Sequence, residues 1–265
     1  MNDGNEMPLL GLGMWRMPSG RSGVETVKHA LNIGYRLIDT ASLYGNEREV
    51  GEGVRQSGVP REDVFVTTKV WNDDQGYDRA LRACDRSLSL LGLGYIDLYL
   101  IHWPVPGERK ETWDALMTLK REGKCRSIGV SNYTVRHLQE LIDRSSAPPS
   151  VNQVEFNPFL YQADLLKFCN GKGIALEAYR PLTGAHRLDH PLLRETAQRY
   201  CKTPAQVMIR WSLQHGLIVI PKSIKPERIA ENSRVFDFTI GDDDMRRLDG
   251  LSENFGTDWD PTEEP

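Results

Sequence analysis

The sequence lacks features that mark several classes of protein. Its 265 residues contain no run of about 18 apolar residues and no basic segment followed by an apolar run near the amino end, so we expect neither membrane spanning nor secretion. The four cysteines, Cys84, Cys125, Cys169 and Cys201, form no Cys-x-x-Cys pair that would indicate a zinc knuckle or a redox dithiol. Free thiols are typical of a reducing compartment, and we expect a cytoplasmic protein.

The sequence also lacks a surplus of positive charge. Its 33 Lys and Arg residues are outnumbered by 37 Asp and Glu, which gives a net charge of −4. Such a chain has no excess of cations to neutralise a phosphate backbone, so we expect no nucleic-acid partner. No segment indicates a protein interface and no Pro/Gly/Ser-rich linker divides the chain, so we predict a monomer with one domain over residues 1–265.

What the sequence does contain is a repeated alternation of short apolar segments with helical patterns. The apolar segments read as strands buried on both faces, as in parallel sheets. Eight such units in this length predict a single-domain α/β fold, the (β/α)₈ TIM barrel. We expect a short turn and strand over residues 2–13 at the barrel floor, and a short acidic tail from Ser252 that lies on the surface.

Two alternatives have weaker support in the sequence. A doubly wound open sheet would place Gly-x-Gly-x-x-Gly at its first strand-to-helix turn, but Arg16 stands where the third glycine is needed after Gly11 and Gly13. His186 and His190 have the i,i+4 spacing of some metal ligands, but no general-base Glu is placed with them. We therefore predict a barrel without a metal site.

Polar residues follow several of the predicted strands. In a barrel of this kind the carboxyl ends of the strands form one mouth, where chemistry collects. Asp39, Lys69 and His102 end three successive strands, and Tyr44 follows on the loop after the first of them. Each has an ordinary structural explanation: Asp39 can cap a turn, Tyr44 and His102 can pack, and Lys69 can extend to solvent. Their coincidence favours a site.

The chemistry that suits these four side chains is proton donation by a phenol. A free Tyr is a weak acid at neutral pH, so Tyr44 needs a nearby cation to stabilise its phenolate. Lys69 can supply that cation, Asp39 can keep it charged, and His102 can orient a substrate oxygen. The set contains no strong nucleophile, so protonation of an oxygen while a hydride attacks its carbon is the natural task. A hydride requires a cofactor.

Residues at the later strand ends suit a nicotinamide cofactor. The side-chain amides of Asn132 and Gln153 can bind a carboxamide, and Tyr179 can stack on a ring. Lys222, Ser223 and Arg228 span a strand-to-helix turn that could hold a terminal phosphate monoester, which favours NADPH over NADH. Lys222 and Arg228 could instead be solvated surface charges.

The sequence resembles the aldo-keto reductases, which are NADP(H)-dependent (β/α)₈ barrels that reduce aldehydes and ketones. The resemblance covers nearly the whole chain. It rests on GYRLIDTASLYGNE, VFVTTKVW, YIDLYLIHWP, SIGVSNY, NQVEFNPF and IPKSIKPERIAEN, in this order. The WDP around Trp259 resembles the short tails of microbial members related to 2,5-diketo-D-gluconic acid reductase.

The resemblance implies roles for specific residues. A catalytic tetrad falls on Asp39, Tyr44, Lys69 and His102, with Tyr44 as the general acid. Cofactor contacts fall on Ser131, Asn132, Gln153, Tyr179, Leu182, Lys222, Ser223, Arg228, Glu231 and Asn232. Aromatic walls of the substrate pocket fall on Trp15, Trp71 and Trp103. The implied partners are NADPH and a small-molecule carbonyl compound.

The sequence departs from the family pattern at three places. Arg180 stands where Ser is usual, the loop after His102 is short, and the hairpin at the barrel floor lacks its first strand. Two other functions stay open. One is a nucleotide-sensing module like the β subunits of potassium channels, against which the intact tetrad argues. The other is a metal-dependent barrel hydrolase, for which clustered ligands are lacking.

Overall fold

The computed structural model describes residues 1–145 and 147–257. Its strands form one parallel sheet in which each strand pairs with the next along the chain. A bridge between Leu10 and Val219 joins the segment before the first strand to the last strand. The strands are Leu12–Gly13 (β1), Leu37–Asp39 (β2), Phe65–Val70 (β3), Ile96–Ile101 (β4), Cys125–Ser131 (β5), Val151–Glu155 (β6), Ala175–Tyr179 (β7) and Ile218–Val219 (β8). The predicted (β/α)₈ fold is confirmed.

Helices connect the strands and cover the outside of the sheet. They are Arg21–Asn32 (α1), Glu47–Ser57 (α2), Tyr77–Leu91 (α3), Arg109–Arg121 (α4), Val135–Arg144 (α5), Ala163–Lys172 (α6), Pro191–Arg199 (α7), Pro204–Gln214 (α8), Pro226–Ser233 (α9) and Asp242–Asp249 (α10). Local sequence explains several of their ends. In α8, for example, Thr203 and Gln206 form a capping box and Pro204 takes the first helical position. None of the described helices is both long and apolar enough to cross a bilayer.

The strands are apolar throughout because both of their faces are covered. In β4, Leu98 and Leu100 belong to the cluster that fills the barrel interior, while Tyr99 and Ile101 belong to the larger cluster beneath the helices. All six residues of β4 are buried. This two-sided burial accounts for the absence of an alternating pattern.

The barrel floor is closed by the first residues of the chain. Met1 and Met7 pack against the interior cluster, and the Asn5 amide nitrogen donates to the Arg126 carbonyl and the Ser127 hydroxyl at the start of β5. The strand expected before α1 is only two residues long, and residues 1–9 contain no strand. Residues 1–9 therefore close the bottom of the barrel through side-chain contacts.

Candidate active site

A cavity of about 980 Å³ opens at the carboxyl ends of the strands. Every residue for which the sequence predicts a site role lines this cavity except Lys69, which is fully buried behind the wall. The lining members are Trp15, Asp39, Tyr44, Trp71, His102, Trp103, Ser131, Asn132, Gln153, Tyr179, Leu182, Lys222, Ser223, Arg228, Glu231 and Asn232. The fold thus gathers residues that are spread over more than 200 positions of the sequence.

A buried ion pair lies behind the cavity wall. Lys69 Nζ, on β3, donates to both carboxylate oxygens of Asp39 at 2.8 Å and to the Thr40 carbonyl at 2.9 Å. Burial raises the pKa of Asp39, while the Lys69 ammonium and a hydrogen bond from Gln153 oppose that rise. Since a buried charge is costly without a partner, Asp39 and Lys69 maintain each other in charged form.

Tyr44 reaches the cavity on the short 3₁₀ turn Ser42–Tyr44 that follows β2. The Ser42 hydroxyl donates to the Lys69 carbonyl at 2.9 Å and so ties this turn to β3. As a result, Lys69 Nζ lies 5.2 Å from the centre of the Tyr44 ring. Trp15 packs on the same phenol, with ring centres 4.8 Å apart. Tyr44 is therefore half-buried beside a cation.

His102 is the third polar group around the phenol. Its ring centre lies 5.8 Å from that of Tyr44 and 5.2 Å from that of Trp71, and Trp103 lies nearly parallel to it. Burial, aided by the Lys69 charge, lowers the pKa of His102 well below the usual value. The imidazole is therefore neutral at physiological pH and carries one N–H to donate.

Two side-chain amides line the next part of the cavity. Asn132 Nδ2 donates to the His102 carbonyl at 3.0 Å, and Asn132 Oδ1 accepts from the Tyr179 hydroxyl at 2.9 Å. Gln153 Nε2 donates to Asp39 Oδ2 and to Glu177 Oε2, each at 2.7 Å. Protein groups thus engage both amide nitrogens, which leaves the amide oxygen of Gln153 for a ligand.

Basic residues line the far end of the cavity. Lys222 lies on the turn into α9, where the Ser223 hydroxyl accepts from the Lys225 backbone N–H at 3.1 Å, and Arg228 lies in the first turn of α9. Burial and the nearby Arg16 guanidinium lower the pKa of Lys222. Arg16 also lines the cavity, although no motif in the sequence indicates a role for it. The one feature that could have indicated a role for Arg16 is its position on the loop after β1.

Arg180 lines the cavity, but its guanidinium also holds the tail. Its Nη1 donates to the carbonyl and the hydroxyl of Thr257, each at 2.6 Å. Thr257 in turn donates its hydroxyl and backbone N–H to Glu155 at the end of β6, at 2.6 and 2.9 Å. The tail is therefore fastened across the ends of β6 and β7. The WDP around Trp259 lies outside the described residues.

The two histidines with i,i+4 spacing lie in different surroundings. His186 lines the cavity, and the ring of His190 packs edge-on against Phe159. Among residues 1–145 and 147–257, no three His, Cys, Asp or Glu side chains are grouped as ligands for a metal ion.

Known proteins resemble this chain over almost its full length. A profile described as Aldo/keto reductase family matches residues 9–253. Glyoxal reductase of Bacillus subtilis is 49% identical over 254 residues, covering 96% of this chain and 92% of the relative. The 9,11-endoperoxide prostaglandin H2 reductase of Trypanosoma cruzi is 50% identical over 258 residues, covering 96% and 91% of the two chains.

Solved structures have the same fold. An aldo/keto reductase from Brucella melitensis has a TM-score of 0.91 and 47% identity, covering 95% of this chain and 97% of the other. A Bombyx mori aldo-keto reductase in complex with NADP has a TM-score of 0.91 and 37% identity, covering 96% of this chain and 92% of the other.

Proposed function

The chain belongs to the aldo/keto reductase family of oxidoreductases, and we propose that it reduces aldehydes and ketones to alcohols with NADPH, with Tyr44 as the general acid. One observation carries this proposal: Lys69, held by Asp39, places its ammonium 5.2 Å from the centre of the Tyr44 ring at the cavity wall. A phenol beside a fixed cation is suited to giving a proton to an oxygen that is becoming negative.

The four polar residues divide the work. NADPH, when bound, supplies the hydride. Tyr44 gives its proton to the carbonyl oxygen, and the Lys69 charge stabilises the phenolate that remains. Asp39 keeps Lys69 charged within the protein interior. Neutral His102 holds the carbonyl oxygen as a hydrogen-bond donor.

The cavity offers fitting groups for the nicotinamide and for the extra phosphate of NADPH. The Gln153 amide oxygen and the Tyr179 ring suit a carboxamide-bearing ring, and Ser131, Asn132 and Leu182 lie with them in the lining. Lys222, Ser223 and Arg228 suit the extra phosphate, with Glu231 and Asn232 beside them. The NADP complex of the Bombyx mori relative supports this choice of cofactor.

Aromatic residues suggest how the substrate is held. Trp15, Trp71 and Trp103 surround Tyr44 and His102, so an apolar substituent of a small carbonyl compound would be enclosed. The glyoxal reductase relative supports a small aldehyde. Three expectations stay predictions: that the protein is a monomer in the cytoplasm, that residues 1–265 form one domain, and that the chain is related to 2,5-diketo-D-gluconic acid reductases.

Replacing the Tyr44 hydroxyl tests the proposal. We expect Tyr44→Phe to oxidise NADPH with 4-nitrobenzaldehyde at less than about a tenth of the wild-type rate, because general-acid catalysis typically contributes more than that. Cofactor binding, followed by tryptophan fluorescence, should persist. Tyr77→Phe, on the surface of α3, is the matched control. A Tyr44→Phe enzyme above that rate would remove Tyr44 as the acid.

The same assay separates the alternative functions. A nucleotide-sensing module would bind NADPH without steady-state turnover of an aldehyde. A metal-dependent hydrolase would not oxidise NADPH, whereas the proposed reductase should oxidise it at a rate that a chelator leaves unchanged.

A further inference from the structure

Glu177 is a buried carboxyl that the proposed mechanism does not use. It lies on β7, in register with Gln153 of β6 on one side and with Ile218 of β8 on the other. Its side chain is fully buried, and its Oε2 accepts from Gln153 Nε2 at 2.7 Å. The same amide nitrogen donates to Asp39 Oδ2 at 2.7 Å. Gln153 therefore bridges two carboxyl groups.

The charges around this bridge favour an uncharged Glu177. Lys69 is the cation that acts on both carboxyls, and it donates two hydrogen bonds to Asp39. Glu177 Oε1 has no hydrogen-bond partner among the described residues. Burial and the Asp39 charge raise the pKa of Glu177 to about 8, against the opposing effects of the Gln153 hydrogen bond and Lys69. At neutral pH, Glu177 therefore carries a proton.

Glu177 acts on the cavity through one neighbour. The charged groups that face it are Asp39 from β2 and Lys69 from β3, while β6 contributes the neutral Gln153 and β8 the apolar Ile218. Gln153 lines the cavity and Glu177 does not. An amide can present either its oxygen or its nitrogen to a ligand. Two acceptors on one side hold the nitrogen there, so the oxygen faces the ligand.

We propose that Glu177 is a positioning residue that, together with Asp39, holds the Gln153 amide with its nitrogen toward the barrel interior and its oxygen toward the cavity. Gln153 then acts only as an acceptor, and it selects a ligand group that donates, such as the NH₂ of the cofactor carboxamide. This inference rests on the proposed function.

Two variants of similar size separate positioning from packing. Glu177→Gln keeps an acceptor for Gln153 Nε2, whereas Glu177→Leu removes it. At pH 7 we expect Glu177→Gln to bind NADPH within about twofold of wild type, and Glu177→Leu to bind about tenfold more weakly, as loss of one oriented hydrogen bond predicts. An equal loss in both variants, or wild-type binding by Glu177→Leu, would overturn the proposal.

A double-mutant cycle gives a readout that general loss of structure would not produce. If Glu177 acts through Gln153, Glu177→Leu should weaken NADPH binding no further in a Gln153→Ala background. Additive losses would mean that Glu177 acts by another route and would overturn the proposal. If the wild-type enzyme itself neither binds nor oxidises NADPH, the proposed function fails, which differs from any outcome of the cycle.

A cofactor analogue keeps the inference testable if Glu177→Leu does not fold. The carboxamide NH₂ of NADPH can donate to the Gln153 oxygen, whereas an analogue with an acetyl group in place of the carboxamide has a methyl group there and cannot donate. Wild type and soluble Glu177→Gln should both bind the analogue about tenfold more weakly than NADPH, because each keeps an acceptor for the Gln153 nitrogen. Equal binding of NADPH and the analogue by the wild-type enzyme would overturn the proposal.

Discussion

Lys69 Nζ lies 2.8 Å from each carboxylate oxygen of Asp39, and the two side chains are 0% and 3% exposed. Neither side chain is exposed enough for water to replace its partner. The pair is therefore a structural element of the barrel as well as a part of the site, and its two roles can be separated by experiment.

Removing one member of this pair should destabilise the protein. We expect Asp39→Leu and Lys69→Met each to lower the free energy of unfolding by about 3–5 kcal/mol, because each leaves a buried charge unpaired. The double variant should recover at least half of the combined loss in urea denaturation, yet remain inactive as a reductase. A double variant whose loss equals the sum of the single losses would show that the two charges are not coupled.

Glu177 should make stability depend on pH. The folded protein retains the Glu177 proton up to about pH 8, whereas the carboxyl ordinarily releases it near 4.5. Between these values the unfolded chain binds fewer protons, so the stability from this group is complete at low pH and is lost as the pH rises toward 8.

The matching measurement compares wild type with Glu177→Gln. From about pH 5 to pH 8, the free energy of unfolding of wild type should fall relative to the variant, by at most about 1.4 kcal/mol per pH unit. Urea denaturation at several pH values measures this difference. Glu62→Gln, at an exposed site, serves as the control. A difference that grows in the opposite direction would contradict a protonated Glu177.

Lys222 and Arg228 should determine the preference for NADPH. We expect the Lys222→Ala/Arg228→Ala variant to raise the dissociation constant of NADPH by about a hundredfold, because two charge-assisted contacts to the extra phosphate are lost. The constant for NADH should change far less. Lys225→Ala is a matched control, since Lys225 lies on the same turn but outside the cavity lining. Equal effects on both cofactors would show that the pair does not bind the phosphate.

Arg180 should fix the tail to the barrel. Because its guanidinium donates twice to Thr257, Arg180→Ala should speed amide hydrogen exchange in residues 252–257, measured by mass spectrometry. Arg194→Ala, at an exposed position of α7, is the control. Unchanged exchange in the tail would show that the remaining contacts, such as that of Arg187 with Glu253, are sufficient.

Most of the barrel could be predicted because its strands and helices carry strong local signals. The exception is α10, whose residues 242–249 include only two apolar side chains, Met245 and Leu248. This helix is held by contacts distant in sequence: Asp244 accepts from Arg199 and from the Tyr200 hydroxyl at the end of α7. A hydrophobic period cannot reveal a helix of this kind.

The placement of the site could also be predicted, but its internal contacts could not. Strand ends identify the residues that meet at the mouth, and the motifs identify the family. They do not show that Gln153 bridges Asp39 and Glu177, or that Arg180 holds Thr257. Such contacts depend on side-chain geometry between strands, which no spacing along the chain encodes.

The cations Arg16, Lys222 and Arg228 lie on the cavity wall of a protein whose net charge is −4. A polyanion that approaches from afar meets the repulsive field of the whole chain, and it meets attraction only within about one Debye length, ~10 Å at 0.1 M salt. At long range, salt screens the repulsion and should raise the rate at which a phosphorylated cofactor is captured. Near the mouth, salt screens the attraction and should lower that rate. The rate of capture should therefore vary less steeply with ionic strength than the local cations alone would suggest.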